Sequence, residues 1–97
     1  EDIGEYAYHI DRMMHQLKRG GKLDRLAGLI VGGMTDMKDT ERPFGLPVEE
    51  IIYDVVKEYD YPVCFGFPVG HQPENYALKS GIGHKLKVGK SKVCLEE

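Results

Sequence analysis

Apolar positions change their period along the chain, and each period predicts an element. Tyr6, Ile10, Met13, Met14 and Leu17 fall at i, i+4, i+7, i+8 and i+11, with Asp11, Arg12, Gln16, Lys18 and Arg19 between them, which predicts an amphipathic helix. Asp2 and Glu5 have capping-box spacing at its start, Lys18 and Arg19 suit the negative end of its dipole, and Gly20-Gly21 stops it. The two methionines on the stripe read as core filler or as part of a domain interface. Leu26 to Gly33 is a continuous apolar run bounded by glycines, which predicts a strand buried on both faces and suited to parallel pairing. Met34 to Leu46 has no period and reads as a loop at the C-terminal end of that strand, where α/β domains often place functional groups. Its own residues form no recognisable site.

Val48, Ile51, Ile52, Val55, Val56 and Tyr59 make a second helical stripe, opened by Pro47 and the acids Glu49 and Glu50. Pro62 to Phe67 then reads as another buried strand running into the turn-rich loop Pro68 to Asn75. Strand, helix and strand make a βαβ unit. Ile82, His84, Leu86 and Val88 alternate with Gly83, Lys85 and Lys87, and the turn Gly89-Lys90-Ser91 leads to Val93-Cys94-Leu95, which predicts an antiparallel β-hairpin. The fold class is α/β.

A length of 97 residues leaves room for one domain, spanning residues 1–97. The chain is 41% hydrophobic and 30% charged, which disfavours disorder and coiled coil. Its modest core and missing initiator methionine suggest a piece of a larger protein. The formal net charge of −3 has the wrong sign for a default nucleic-acid partner. Five lysines between Lys79 and Lys92 form the one basic stretch, and lysines alternating along a strand serve mainly to keep a sheet edge soluble. No apolar run approaches the roughly 18 residues of a membrane span, and the first residues do not form a signal peptide. Cys64 and Cys94 lack metal-ribbon spacing and do not suggest a disulfide scaffold, so a reducing cytoplasm is expected.

Candidate chemistry is sparse. Gly89-Lys90-Ser91 resembles the end of a phosphate-binding loop, but His84 occupies the position of the required glycine and no helix follows. His9 and His15 are six apart on a helix and do not share a face, which argues against a metal site. His84 shares a hairpin face with Ile82 and Leu86, as a partly buried histidine bonded to backbone would. His71 follows a buried strand in a Gly-His-Gln-Pro loop, with Glu74 and Asn75 behind it, and is the candidate general base. Carboxylates among Glu1 to Glu5 would serve to orient it, although acids at a helix start ordinarily cap it. A nucleophile is missing: Ser80 and Ser91 sit outside any strained elbow, and Cys64 lies inside an apolar strand.

Together Glu1-Asp-Ile-Gly-Glu5, Tyr8, Ile10-Asp-Arg-Met13, Gly20-Gly-Lys-Leu-Asp24, the Gly28 to Gly33 strand and Pro68-Val-Gly-His71 with Asn75 resemble the C-terminal domain of the serine LD-carboxypeptidases, the muramoyltetrapeptide carboxypeptidases. The resemblance implies a swivelling β/β/α domain in which His71 is the base and Glu1 its orienter. The serine would come from a separate N-terminal domain of the same protein. It further implies removal of terminal D-alanine from murein tetrapeptides in cytoplasmic peptidoglycan recycling, by a homodimeric enzyme with no metal or other cofactor, while charge and hydropathy already argue against a nucleic-acid or membrane partner. The hydrophobic strand that precedes this glutamate in the family is not present ahead of Glu1, so Glu5 stays open as the alternative partner of His71. Lacking a nucleophile, the 97-residue chain by itself is expected to be inactive. Two alternatives stand beside this reading. One is a microcin C immunity-type peptidase acting on aminoacyl-nucleotide conjugates, for which the Met34 to Leu46 loop offers only Phe44 as a stacking aromatic. The other is a non-catalytic interaction module that docks a partner through the methionine-bearing helix.

Overall fold

In chain order the elements are β1 (Asp2–Ile3), α1 (Ala7–Arg19), β2 (Leu29–Ile30), β3 (Met34–Thr35), α2 (Val48–Val56), β4 (Val63–Cys64), β5 (Lys85–Val88) and β6 (Val93–Glu96), in a computed structural model that describes residues 1–97. This is a small mixed α/β domain with two helices and short strands. β2 and β4 pair in parallel, Leu29 with Val63 and Ile30 with Cys64, and α2 lies between them in sequence as the crossover. β1 pairs in parallel with β3, Asp2 with Met34 and Ile3 with Thr35. β5 and β6 pair antiparallel, with Lys85 opposite Glu96 and Val88 opposite Val93.

Helix α1 ends where its glycines require. The Gly21 N–H donates to Lys18 O and the Lys22 N–H to Leu17 O, both at 3.0 Å, and Gly21 has φ +73°. These paired bonds are the Schellman arrangement, which satisfies the last carbonyls of the helix. Its start differs from the expected capping box. Tyr6 is the N-cap and no side chain caps the helix, because Asp2 lies in β1 and Glu5 pairs with His9. Helix α2 begins after Pro47 with Glu49 and Glu50 in its first turn and ends at Val56. Tyr59 therefore sits beyond the helix, where its N–H donates to Val56 O and its ring packs against Leu23, Val55 and Val56.

One cluster of buried residues joins Ala7 and Ile10 of α1, Val31, and Val48, Ile51 and Ile52 of α2, with Met14, Leu29 and Met34 packed against it. A second comprises Leu23, Val55 and Val56. The apolar stripe of α1 is broader than the face it buries, for Met13 and Leu17 stay exposed. Similarly, Leu29 and Ile30 are half-buried, and full burial begins only at Val31, Gly32 and Gly33. The expectation of a strand buried on both faces fails at its start, where Ile30 belongs to neither cluster and lines an open groove beside α1. No helix is long and apolar enough to cross a membrane.

The lysine-bearing strand is exposed, and part of the charge of this basic stretch is met locally. Lys87 Nζ lies 3.5 Å from Glu96 Oε1, and Lys79 Nζ lies 3.4 Å from Glu97 Oε2. His84 is exposed rather than partly buried, although its Nδ1 does approach Ile82 O at 3.2 Å. Little packs over this face, since Leu86 is the one half-buried side chain of β5. Only 12 of 97 residues are buried, so each core side chain carries a large share of stability. Ile52, 3% exposed between the helices and the sheet, provides the test. Ile52→Val should cost about 1 kcal/mol and Ile52→Ala about 2–5 kcal/mol in urea unfolding, in that order.

Candidate active site

Three stretches of main chain converge on Gly33. Its N–H donates to Val69 O at 2.8 Å, and its carbonyl accepts the Asp2 N–H at 3.2 Å. Just upstream the Val31 N–H donates to Cys64 O at 2.9 Å and Val31 O accepts the Phe67 N–H at 3.1 Å. Glu1 immediately precedes Asp2, and Gly70-His71 immediately follows Val69. The two groups singled out in the sequence, 70 positions apart, are therefore delivered beside one residue, Gly33, by backbone bonds to its N–H and to its carbonyl.

Glu1 Oε2 lies 3.5 Å from His71 Nε2. The side chains are 39% and 54% exposed respectively, so the pair adds at most about 1 kcal/mol to folding. That exposure leaves the ring open to a reacting group, and no hydrogen bond occupies Nδ1. Close packing holds the carboxylate side of the pair. A Cβ on Gly70, whose φ is +117°, would lie 3.0 Å from both Glu1 Cβ and Oε2. On Gly32 it would lie 3.0 Å from Glu1 Cβ and 2.7 Å from Val69 O. Glycine is favoured at Gly70 by its φ and at Gly32 by the Val69 carbonyl, and a side chain at either position would press on Glu1.

The histidine loop has its own anchors. Asn75 Oδ1 accepts the Gly70 N–H at 3.0 Å, Tyr76 N–H donates to Pro68 O at 2.8 Å, and Gln72 Nε2 donates to Glu74 O at 2.9 Å. Gln72 also lies directly over Gly33, where any side chain would collide with it. Thr35 Oγ1 donates to the His71 main-chain carbonyl at 3.0 Å. The segment after β2, expected to be loop without site residues, thus contributes strand β3 and a direct contact to the histidine.

The other candidates are placed elsewhere. Glu5 Oε2 meets His9 Nδ1 at 2.8 Å rather than His71, and His15 Nδ1 lies 2.9 Å from Asp11 O. No three His, Cys, Asp or Glu side chains gather as an ion-holding group. Gly89-Lys90-Ser91 is the turn between β5 and β6, closed by the Gly89 N–H donating to Lys92 O at 2.8 Å. Cys64 is buried, and that burial pushes its thiol up and disfavours the nucleophilic thiolate. An apolar groove of about 220 Å³ runs from Glu1 along Met13, Leu17, Leu29 and Ile30.

Thr35 escapes sequence reasoning, and Gly70, seen there only as part of the Gly-His motif, gains its role from the contact with Glu1. The usable signals were the end of a buried strand, where functional side chains collect, and a glycine directly before the histidine. Chemically, an exposed imidazole facing a carboxylate is suited to accept and return a proton, the carboxylate orienting the ring and stabilising the imidazolium.

Substitution at Gly70 separates backbone strain from the contact with Glu1. Gly81 has φ +81° with no atom near its Cβ position, so Gly81→Ala incurs conformational cost alone, about 1 kcal/mol. Gly70→Ala should cost more in the same denaturant experiment and displace Glu1 from His71. The buried thiol gives a second test: iodoacetamide should label Cys94 well before Cys64 in the folded protein, and both at similar rates in urea.

Comparison with known proteins bears on this geometry. Residues 1–86 match the family described as the LD-carboxypeptidase C-terminal domain. The chain is 32% identical over 96 residues to a Bacillus subtilis (strain 168) protein named "Probable murein peptide carboxypeptidase", covering 99% of this chain and 30% of that protein. It is 36% identical over 89 residues to a provisionally named carboxypeptidase of Synechocystis sp., covering 89% of this chain and 29% of the relative. A further relative from Streptomyces coelicolor, also provisionally named a carboxypeptidase, is 28% identical over 96 residues, or 99% of this chain and 29% of the relative. The chain thus spans less than a third of the length of each of these relatives. With Glu1, the helix that follows and the Gly-His loop all inside the matched span, this chain belongs to the LD-carboxypeptidase C-terminal domain family.

Proposed function

We propose that this domain supplies the acid–base half of a serine LD-carboxypeptidase, with His71 as general base and Glu1 as its orienter. The observation that carries the reading is the juxtaposition of Glu1 Oε2 and His71 Nε2 at 3.5 Å on an exposed face, fed by two separate stretches of main chain. His71 takes the proton of a serine hydroxyl on a separate N-terminal domain as the serine oxygen attacks the carbonyl joining the L-centre of a diamino acid to D-alanine. The imidazolium formed faces the Glu1 carboxylate. The proton then passes to the leaving amine, D-alanine departs, and water, activated by the same imidazole, releases the acyl group from the serine. Oxyanion stabilisation comes from outside this domain.

The substrate assigned is a murein tetrapeptide, in line with the name of the Bacillus relative. Peptide recycling in the cytoplasm by a homodimeric two-domain protein completes the proposal.

The test is D-alanine release from murein tetrapeptide by the two-domain protein. His71→Ala should lower kcat/KM by a hundredfold or more and Glu1→Gln by a smaller factor, whereas Glu5→Gln should leave it nearly unchanged. The isolated 97-residue chain should release none. Turnover by that chain, or a parent enzyme indifferent to His71, would overturn the assignment.

A further inference from the structure

Thr35 holds both halves of the site at once. Its main-chain carbonyl accepts the Gly4 N–H at 2.9 Å within the β1–β3 ladder, three residues along from Glu1. Its hydroxyl donates to the His71 carbonyl at 3.0 Å, a bond spanning 36 positions of sequence. Beyond Val69 the remaining hydrogen bonds of the Pro68–Tyr76 loop are internal: Gly70 to Asn75, Gln72 to Glu74, and Tyr76 to Pro68 and Glu74. The Thr35 hydroxyl makes the hydrogen bond that ties this far part of the loop to the sheet. The His71 side chain is 54% exposed, so core packing does not fix the ring, and the position of its peptide sets where the ring can reach.

We propose that Thr35 is a positioning residue, whose hydroxyl holds the His71 peptide so that the imidazole stays opposite Glu1. It acts through His71 and touches no substrate. This rests on the reading of Glu1 and His71 as an acid–base pair, and explains why a hydroxyl stands at the end of β3. Loss of the hydroxyl frees the loop to swing the ring away from the carboxylate, and small displacements of a reacting group are costly to rate.

Thr35→Val preserves shape and β-branching and removes the hydrogen bond, whereas Thr35→Ser restores a hydroxyl. In the two-domain protein, with folding checked by thermal melting, Thr35→Val should lower kcat for D-alanine release about tenfold with KM unchanged, and Thr35→Ser should recover to within about twofold. In a His71→Ala background Thr35→Val should bring no further loss, because the two act as one unit. Wild-type kcat in Thr35→Val, or an equal loss with and without His71, would overturn the proposal. A second readout does not depend on turnover. Nuclear Overhauser contacts between the His71 ring and the Glu1 side chain should be present in wild type and Thr35→Ser and lost in Thr35→Val. If the protein does not release D-alanine, or does so without His71, the functional reading fails and these contacts decide Thr35 alone: their persistence in Thr35→Val refutes the positioning role.

Discussion

Gly33 is hydrogen-bonded through both of its backbone groups, its N–H to Val69 O and its carbonyl to the Asp2 N–H, and the site depends on that pair of bonds. Neither Glu1 nor His71 lies within a regular element, and neither is held by the core. Each follows from where its neighbouring backbone is pinned. The pivot is tightly packed: a side chain on Gly32 would strike the Val69 carbonyl, one on Gly33 would push the end of Gln72 aside, and one on Gly70 would press on Glu1. The run of glycines is thus a packing requirement of the site before it is a matter of flexibility.

The helices support the pivot from behind. Ala7 and Ile10 of α1 and Ile51 and Ile52 of α2 bury against Val31, the residue two before Gly33, so the hydrophobic clusters fix the strand from which the site chains branch. The division is physical: burial supplies the free energy that holds the strand, and backbone hydrogen bonds, individually modest, supply direction. The Glu1–His71 pair then adds little stability of its own, because both side chains are largely open to solvent.

Much of this was legible from residue spacing. The α2 stripe, the Gly20-Gly21 stop and the strand–helix–strand order follow from periodicity because burial imposes the period. β1 and β3 were not visible, since two-residue strands held by main-chain bonds leave no side-chain pattern. For the same reason Asp2 and Glu5 looked like helix caps, when tertiary pairing had already drawn Asp2 into a strand. Tyr59 fits the α2 stripe by period yet lies past the helix, as a residue burying the same surface from the following turn. His71 stood out by its loop. Only family resemblance pairs Glu1 with it, and Thr35 leaves no local signal because its bond reaches 36 positions away.

The central claim is that Glu1 and His71 work as one acid–base unit for a nucleophile carried elsewhere. A double-mutant cycle on D-alanine release tests it most directly, using the two-domain protein as wild type, Glu1→Gln, His71→Ala and the double variant. One unit predicts that the double variant is no slower than His71→Ala alone, since a carboxylate has nothing to orient once the imidazole is gone. Losses that multiply independently would contradict the account.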